Sequence, residues 1–291
     1  MYDHARGKPF MNAHSSLVPV VSANALGIPT VMVGGLPIAV LDRARSAELM
    51  VEWALARRGD ALPLYVTSAN GQVLSLCARD PALRALFTAS PVIHADGAPL
   101  VFASRLKCRV PLPERVATSD LFHDVAKVAV ERRASFYLLG ASPEALGKAE
   151  RNVRRLYPGL TLAGVRHGYF DASEEEAVVA AINAAKPDIL WVAMGVPREQ
   201  AFVVRNRERL TGVGVIKTAG GLFDFLSGDR SRAPQWMQAA GLEWLYRLML
   251  EPRRLFIRYA VTNPHAAYLL LTRSGGPKAL AQAEGAPARK L

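Results

Sequence analysis

The chain has 291 residues, of which 51% are hydrophobic and 21% charged; that is one large domain or two small ones with apolar side chains enough for a full core, and it excludes a disordered or collagen-like protein. Two cysteines, Cys77 and Cys108, exclude a disulfide framework and point to a reducing compartment. Lys plus Arg number 36 against 25 Asp plus Glu, a net charge of +11, which favours an anionic partner: nucleic acid, an anionic bilayer face or a phosphorylated substrate.

Residues 1–28 read as a loose N-terminal extension. Residues 9–41 contain no charged side chain, but Pro19, Pro29, Pro37, Gly27, Gly34 and Gly35 interrupt them, and proline inside a helix costs about 3 kcal/mol. Asp3, Arg6 and Lys8 precede a mixed stretch in place of an apolar block, so neither a signal sequence nor a membrane span is expected. From Thr30 a strand and turn begin, and an α/β domain is predicted over 29–240. Its β-rich runs are Leu62–Thr67, Pro91–Ala95, Ser135–Gly140, Leu160–Val165, Asp188–Met194 and Val213–Thr218. Helical patterns fill 43–58, 71–87, 119–133, 143–156, 173–185 and 198–210. Several open on good caps: Ser119-Asp120, Ser142 before Pro143, and Ser173 before three glutamates. Glu174–Glu176 complement the dipole of a first turn. Short strands, apolar on both faces and alternating with helices, specify a Rossmann-like, mostly parallel sheet covered by helices on both sides.

Residues 241–274 form a C-terminal appendage in which Trp244, Tyr246, Phe256, Tyr259 and Tyr268 alternate with arginines, and 275–291 read as a flexible tail. Residues 242–291 hold eight Lys or Arg against three Asp or Glu, about half of the net charge. Two readings follow: helices whose aromatic and arginine stems enter an anionic bilayer surface, or helices packed on the body with solvated arginines.

In parallel sheets, ligands lie beyond the carboxyl ends of the strands. That rule selects Ser68-Ala69-Asn70, Asp96-Gly97, Gly140-Ala141-Ser142, Gly195-Val196-Pro197 and Ala219-Gly220-Gly221. Asp96 is either a general base or the N-cap of a helix beginning near Ala98. Gly140 opens a turn whose backbone N–H groups suit a phosphate. No dinucleotide glycine fingerprint, P-loop or hydrolase elbow occurs. The six histidines are scattered without ligand spacing and no Asp-x-Asp is present, so no metal and no cofactor are expected, and arginines and N–H groups would meet a diphosphate.

The order of the segments resembles the WecG/TagA/CpsF family, glycosyltransferase family 26. The matching stretches are Thr67-Ser68-Ala69-Asn70, Asp96-Gly97, 114–121 (Glu-Arg-Val-Ala-Thr-Ser-Asp-Leu), Tyr137-Leu138-Leu139-Gly140, Tyr157-Pro158-Gly159, Gly168-Tyr169-Phe170, Gly195-Val196-Pro197-Arg198-Glu199-Gln200, 220–224 (Gly-Gly-Leu-Phe-Asp), Arg232-Ala233-Pro234, 241–248 and Glu251-Pro252-Arg253-Arg254. Together they span roughly residues 31–270.

The resemblance implies an inverting, metal-independent enzyme. It would move a sugar (N-acetylmannosamine, its uronic acid, or glucose) from a UDP-sugar to a polyprenyl-diphosphate-linked saccharide. The work would be done peripherally at the cytoplasmic membrane face, for cell-surface polysaccharide synthesis. It casts Asp96 as base; Arg115 is set beside it as a candidate catalytic residue, or alternatively a structural ion pair or cap. The sugar-nucleotide region would be met by Thr67 or Ser68 with Asn70, and Arg247, Arg253, Arg254 and Arg258 would meet membrane and diphosphate. Asp120, Gly140, Gly195, Pro197, Gly220, Gly221 and Asp224 complete the candidate substrate-binding set. Asp120 is alternatively a structural ion pair or cap, and Asp224 a brace for the Gly220-Gly221 turn. The family's Gly-x-Pro-Lys-Gln-Glu stands here with acid and amide exchanged, so either Glu199 or Gln200 takes the glutamine's role, and a family glycine is Thr118. Homo-oligomer formation is left open. A basic nucleic-acid-binding protein without catalysis is the alternative, against which stand the missing recognition motif and a charge excess concentrated in an apolar tail.

Overall fold

The structure is a computed structural model and describes residues 26–57 and 62–275; most of the N-terminal extension and nearly all of the C-terminal tail lie outside the described residues. A β-hairpin comes first, β1 (Thr30–Val33) paired antiparallel with β2 (Leu36–Ala39). The main sheet comprises β3 (Leu64–Ala69), β4 (Val92–Ala95), β5 (Ser135–Gly140), β6 (Thr161–Arg166), β7 (Ile189–Ala193) and β8 (Val215–Thr218), in the order β4-β3-β8-β7-β5-β6. All of its pairings are parallel, as the alternation of strands and helices predicts.

The helices are α1 (Arg43–Ala56), α2 (Gly71–Arg79), α3 (Pro81–Thr88), α4 (Ala98–Lys107), α5 (Thr118–Arg132), α6 (Pro143–Leu156), α7 (Glu175–Ala185), α8 (Arg198–Asn206), α9 (Leu222–Leu226), α10 (Gln235–Ala239), α11 (Glu243–Leu250) and α12 (Pro252–Thr272). The single helix expected over 71–87 is two. Asp80 Oδ1 accepts from the N–H groups of Ala82 and Leu83, and Pro81 fills the first helical position, so the chain is recapped and turned there. The helix expected from Ser173 begins later, at Glu175, because Asp171 gathers the N–H groups of Ser173 and Glu174 into a turn.

One face of the sheet buries Phe122, Phe136 and Trp191 with α1 and α5; Phe122 and Trp191 meet edge-on at 4.9 Å between ring centroids. The other face buries Tyr65, Leu190, Phe202 and Ile216. A third cluster joins the hairpin (Val33, Leu36, Ile38) to Leu74, Phe87 and Leu100. Helix α12 contributes Leu269 and Leu270 to that cluster. Its close approach to α2 is set by Gly71, where an added Cβ would stand 3.2 Å from Ala266 Cβ. A hydrogen bond of 2.9 Å joins Ser75 Oγ and His265 Nδ1. The end of α12 is fastened to the hairpin, the Gly35 N–H donating to Arg273 O at 2.9 Å and the Gly275 N–H to Met32 O at 3.0 Å.

The appendage is therefore divided. Its far half packs on the body, while Met249, Leu250, Phe256 and Ile257 stay exposed, Ile257 at 73%. No helix among the described residues is long and apolar enough to cross a membrane.

Candidate active site

Strands β3, β4, β7 and β8 are parallel, so their carboxyl ends share one edge of the sheet. A cavity of about 740 Å³ opens there, lined from the strand side by Ser68, Asn70, Asp96, Gly195 and Gly220 and from the helix side by Trp244, Arg247, Arg258 and Tyr259. Its position follows from topology, since the chain must leave each strand end in a loop whose backbone and polar side chains face outward.

Asp96 stands one residue beyond β4. The N-cap of α4 is Gly97, and no side chain caps that helix; the capping alternative at α4 is excluded. Asp96 Oδ2 accepts instead from the Thr118 backbone N–H at 3.2 Å and from Thr118 Oγ1 at 2.8 Å. It thus sits at the first turn of α5, where the helix dipole favours an anion. Burial pushes the Asp96 carboxyl above the usual range, opposed by the Thr118 hydrogen bonds and by the Arg115 and Lys217 charges. A carboxylate so placed is a stronger base than an exposed aspartate.

Lys217, a residue that sequence reasoning missed, lies behind the cavity lining, against Ser68. It is fully buried in β8, and its Nζ donates to Ser68 Oγ and to Thr218 O, each at 2.8 Å. Burial pushes its amine down to about 8, against the Asp96 and Glu199 charges. His94 of β4 is equally buried, and among the described residues neither ring nitrogen has a hydrogen-bond partner; burial, then Lys217, hold it well below the usual histidine range. The signal for Lys217 was present: it is the one charged residue in the apolar run Val213–Thr218. Arg230 lines the cavity unforeseen and pairs with Asp224 at 3.3 Å.

Glu199 is 2% exposed and fastens two strand-end loops together. Its Oε2 accepts from the N–H groups of Met194 (3.2 Å), Gly195 (3.0 Å) and Gly220 (2.9 Å), and its Oε1 from Gly220 N–H (3.1 Å) and Gln200 Nε2 (3.0 Å). Burial pushes the carboxyl up to about 7 in spite of those donors. Gly195 and Gly220 have φ of +79° and +58°, a backbone that side chains rarely adopt. Glu199 and Gln200 thus both border the cavity, with the Gln200 amide engaged by its neighbour.

Arg115 lines the cavity and donates from Nη1 to Glu243 Oε2 at 2.5 Å, joining the body to α11. Asp120 lines a neighbouring cavity of about 320 Å³ with Arg43 and Arg115. Arg232 binds it through two guanidinium nitrogens, and its carboxyl is lowered: the Arg232, Arg43 and Arg115 charges together outweigh burial. That is the ion-pair alternative for Asp120.

Of the other expected site residues, Ser68, Asn70, Gly221, Arg247 and Arg258 line the larger cavity; Asn70 also caps α2, its Oδ1 accepting from the Val73 N–H at 3.1 Å. Thr67 is buried, its hydroxyl 2.7 Å from that of Thr218. Asp224 pairs with Arg230 beside the cavity, and Pro197 stands at the N-terminal boundary of α8 without capping it by a side-chain hydrogen bond. Gly140 packs against β7: a Cβ there would stand 2.1 Å from Ala193 O. Arg253 is exposed, and the side chain of Arg254 lies outside the described residues.

Comparison with known proteins bears on this arrangement. Residues 31–279 match the model of the glycosyl transferase WecG/TagA/CpsF family. The chain is similar to an N-acetylglucosaminyldiphosphoundecaprenol N-acetyl-beta-D-mannosaminyltransferase of Bacillus spizizenii, 30% identical over 190 residues, which cover 65% of this chain and 72% of the relative.

Proposed function

The chain belongs to the WecG/TagA/CpsF family of glycosyl transferases, and from that premise we propose that it moves an N-acetylmannosaminyl group from a UDP-sugar to a polyprenyl-diphosphate-linked saccharide, with inversion and without a metal ion. The sugar and the lipid acceptor are those in the name of the Bacillus spizizenii relative.

The observation that carries the reading is Asp96, a half-buried, hydrogen-bonded carboxylate lining a cavity that Arg230, Arg247 and Arg258 also line. In an inverting displacement the acceptor hydroxyl attacks the anomeric carbon as Asp96 takes its proton. The bond to UDP breaks on the opposite side and its electron pair leaves with the diphosphate. Negative charge grows on that diphosphate, and fixed guanidinium groups stabilise it; one such contact is worth roughly 10²–10³ in rate. In this reading Arg230, Arg247 and Arg258, which line the cavity, supply that counter-charge.

The exposed Met249, Leu250, Phe256 and Ile257 lie on the same pair of helices as Arg247 and Arg258, which supports peripheral contact with an anionic bilayer on the cytoplasmic face, where a lipid-borne acceptor would meet the cavity. In this reading 29–240 is the catalytic domain and 241–274 completes it.

The test is purified protein with UDP-N-acetylmannosamine and a polyprenyl-diphosphate-linked N-acetylglucosamine, scored for UDP and lipid product, with and without EDTA. Product undiminished by EDTA is expected. Loss of turnover on chelation defeats the metal-independent scheme, and turnover only with other UDP-sugars reassigns the donor.

A further inference from the structure

A lysine buried in the central strand of a sheet is costly unless the charge has work to do. Lys217 has no exposed atoms to relieve it, and its two hydrogen-bond acceptors, Ser68 Oγ and Thr218 O, are uncharged. Strand geometry explains the contact. Lys217 pairs with Val66 in register, and Ser68, two residues along β3, lies on the same face. His94 pairs with Ser68 from β4.

From Ser68 the contacts continue to the candidate base. The Ser68 and Thr118 hydroxyls are 3.2 Å apart, and Thr118 Oγ1 is 2.8 Å from Asp96 Oδ2. A threonine hydroxyl has one proton, and an ionised carboxylate can only accept. Thr118 therefore donates chiefly to Asp96, its longer contact running to Ser68 Oγ, and Ser68 Oγ accepts from both Thr118 and Lys217. Ser68 Oγ thus joins the Lys217 ammonium group to Thr118, and Lys217 holds in place the oxygen against which the Thr118 hydroxyl is set as it donates to Asp96.

We propose that Lys217 is a positioning residue for glycosyl transfer: its ammonium group orients the Ser68 and Thr118 hydroxyls so that Asp96 is held as a charged, correctly aimed acceptor of the substrate's proton. The inference rests on the reading of Asp96 as the base. The charged and titratable groups facing this chain are Asp96 beyond β4, His94 on β4, Glu199 on α8, Arg115 before α5 and Arg232 before α10. His94 stays neutral and Glu199 is already engaged by three backbone N–H groups. Lys217 thus joins Arg115 in opposing the burial that raises Asp96, and it alone does so through a continuous line of hydrogen bonds.

The experiment is the pH profile of kcat/KM from pH 5 to 9 for the full chain and for Lys217→Met, Lys217→Arg, Ser68→Ala and Asp96→Asn, with a thermal melt of each. Without the ammonium group Asp96 holds its proton to higher pH. The acid limb of Lys217→Met should move up by about one unit, lowering the rate about tenfold at pH values below both limbs, while KM for the UDP-sugar changes by less than about twofold. Lys217→Arg, which keeps the charge, should leave the limb nearer that of the parent. A folded Lys217→Met whose acid limb superimposes on the parent overturns the proposal. Should Lys217→Met not fold, Ser68→Ala decides: it cuts the line between Lys217 and Thr118, so the limb must move in the same direction, and an unmoved limb overturns the proposal. Asp96→Asn separates the two readings. Full turnover in that variant defeats the base assignment and this inference with it; an inactive Asp96→Asn beside an unmoved limb in Lys217→Met defeats the role of Lys217 alone.

Discussion

Two strand ends in this protein look alike in sequence and differ in what they do. Asp96-Gly97-Ala98-Pro99 follows β4 and Gly140-Ala141-Ser142-Pro143 follows β5; each leads an apolar strand through glycine into a helix with proline in its first turn. At the first, Gly97 is in extended backbone, α4 has no side-chain cap, and Asp96 is left to serve Thr118 and the cavity. At the second, Ser142 caps α6 by accepting from the Ala145 N–H, and Gly140, with φ of +147°, is pressed against the Ala193 carbonyl of the neighbouring strand. At the first end a carboxylate is left facing the cavity; at the second the helix start is met by Ser142 and the space of a Cβ on the glycine is taken by the neighbouring strand.

The sharpest way to break this contrast is Asp96→Asn, which should lower kcat by roughly 10²–10⁴ with little change in melting temperature; a variant with parental turnover would remove the chemical meaning of the first end. Alanine at the two glycines comes next. Gly140→Ala drives a Cβ into the Ala193 carbonyl and should cost about 3 kcal/mol in a denaturant titration. At Gly97 the nearest atom to an added Cβ is Leu100 Cδ1 at 3.5 Å, ordinary contact, so Gly97→Ala should stay within about 0.5 kcal/mol.

Glu199 tests the cavity edge by pH. Its carboxyl lies at about 7 in the fold against 4.5 ordinarily, so across that window the native state holds the proton that the unfolded chain has released. Its contribution to stability therefore declines as pH rises from about 4.5 to 7, by on the order of 3 kcal/mol. Denaturation midpoints followed over that range should fall in the parent and flatten in Glu199→Gln. The smallest effect belongs to the second end: Ser142→Ala removes a cap and should cost about 1 kcal/mol in the same titration.

Much of this was legible in the chain. The six sheet strands stand within two residues of where short apolar runs place them at every end, because a strand buried on both faces must be apolar throughout and must end where polar or glycine residues begin. The family motifs marked Asp96, Ser68 and Asn70 on the cavity as well. Thr67 and Ser68, adjacent in one motif, could not be told apart: the pleat sends the first to Thr218 and the second to Lys217 and Thr118. The break at Asp80-Pro81 was readable from its capping chemistry and was obscured by the continuous apolar pattern on either side.

The sequence by itself determined the alternating strands and helices, a parallel sheet, and the membership of Asp96 in a ligand-facing edge, since each depends on side-chain character over a few neighbouring residues. Only the tertiary structure decided that β8 lies between β3 and β7, bringing Lys217 against Ser68 from 149 residues away, and that the chain of α12 returns to pack on α2 and close the cavity. Those contacts follow from strand order and from burial of area between distant segments, quantities that no local pattern of residues contains.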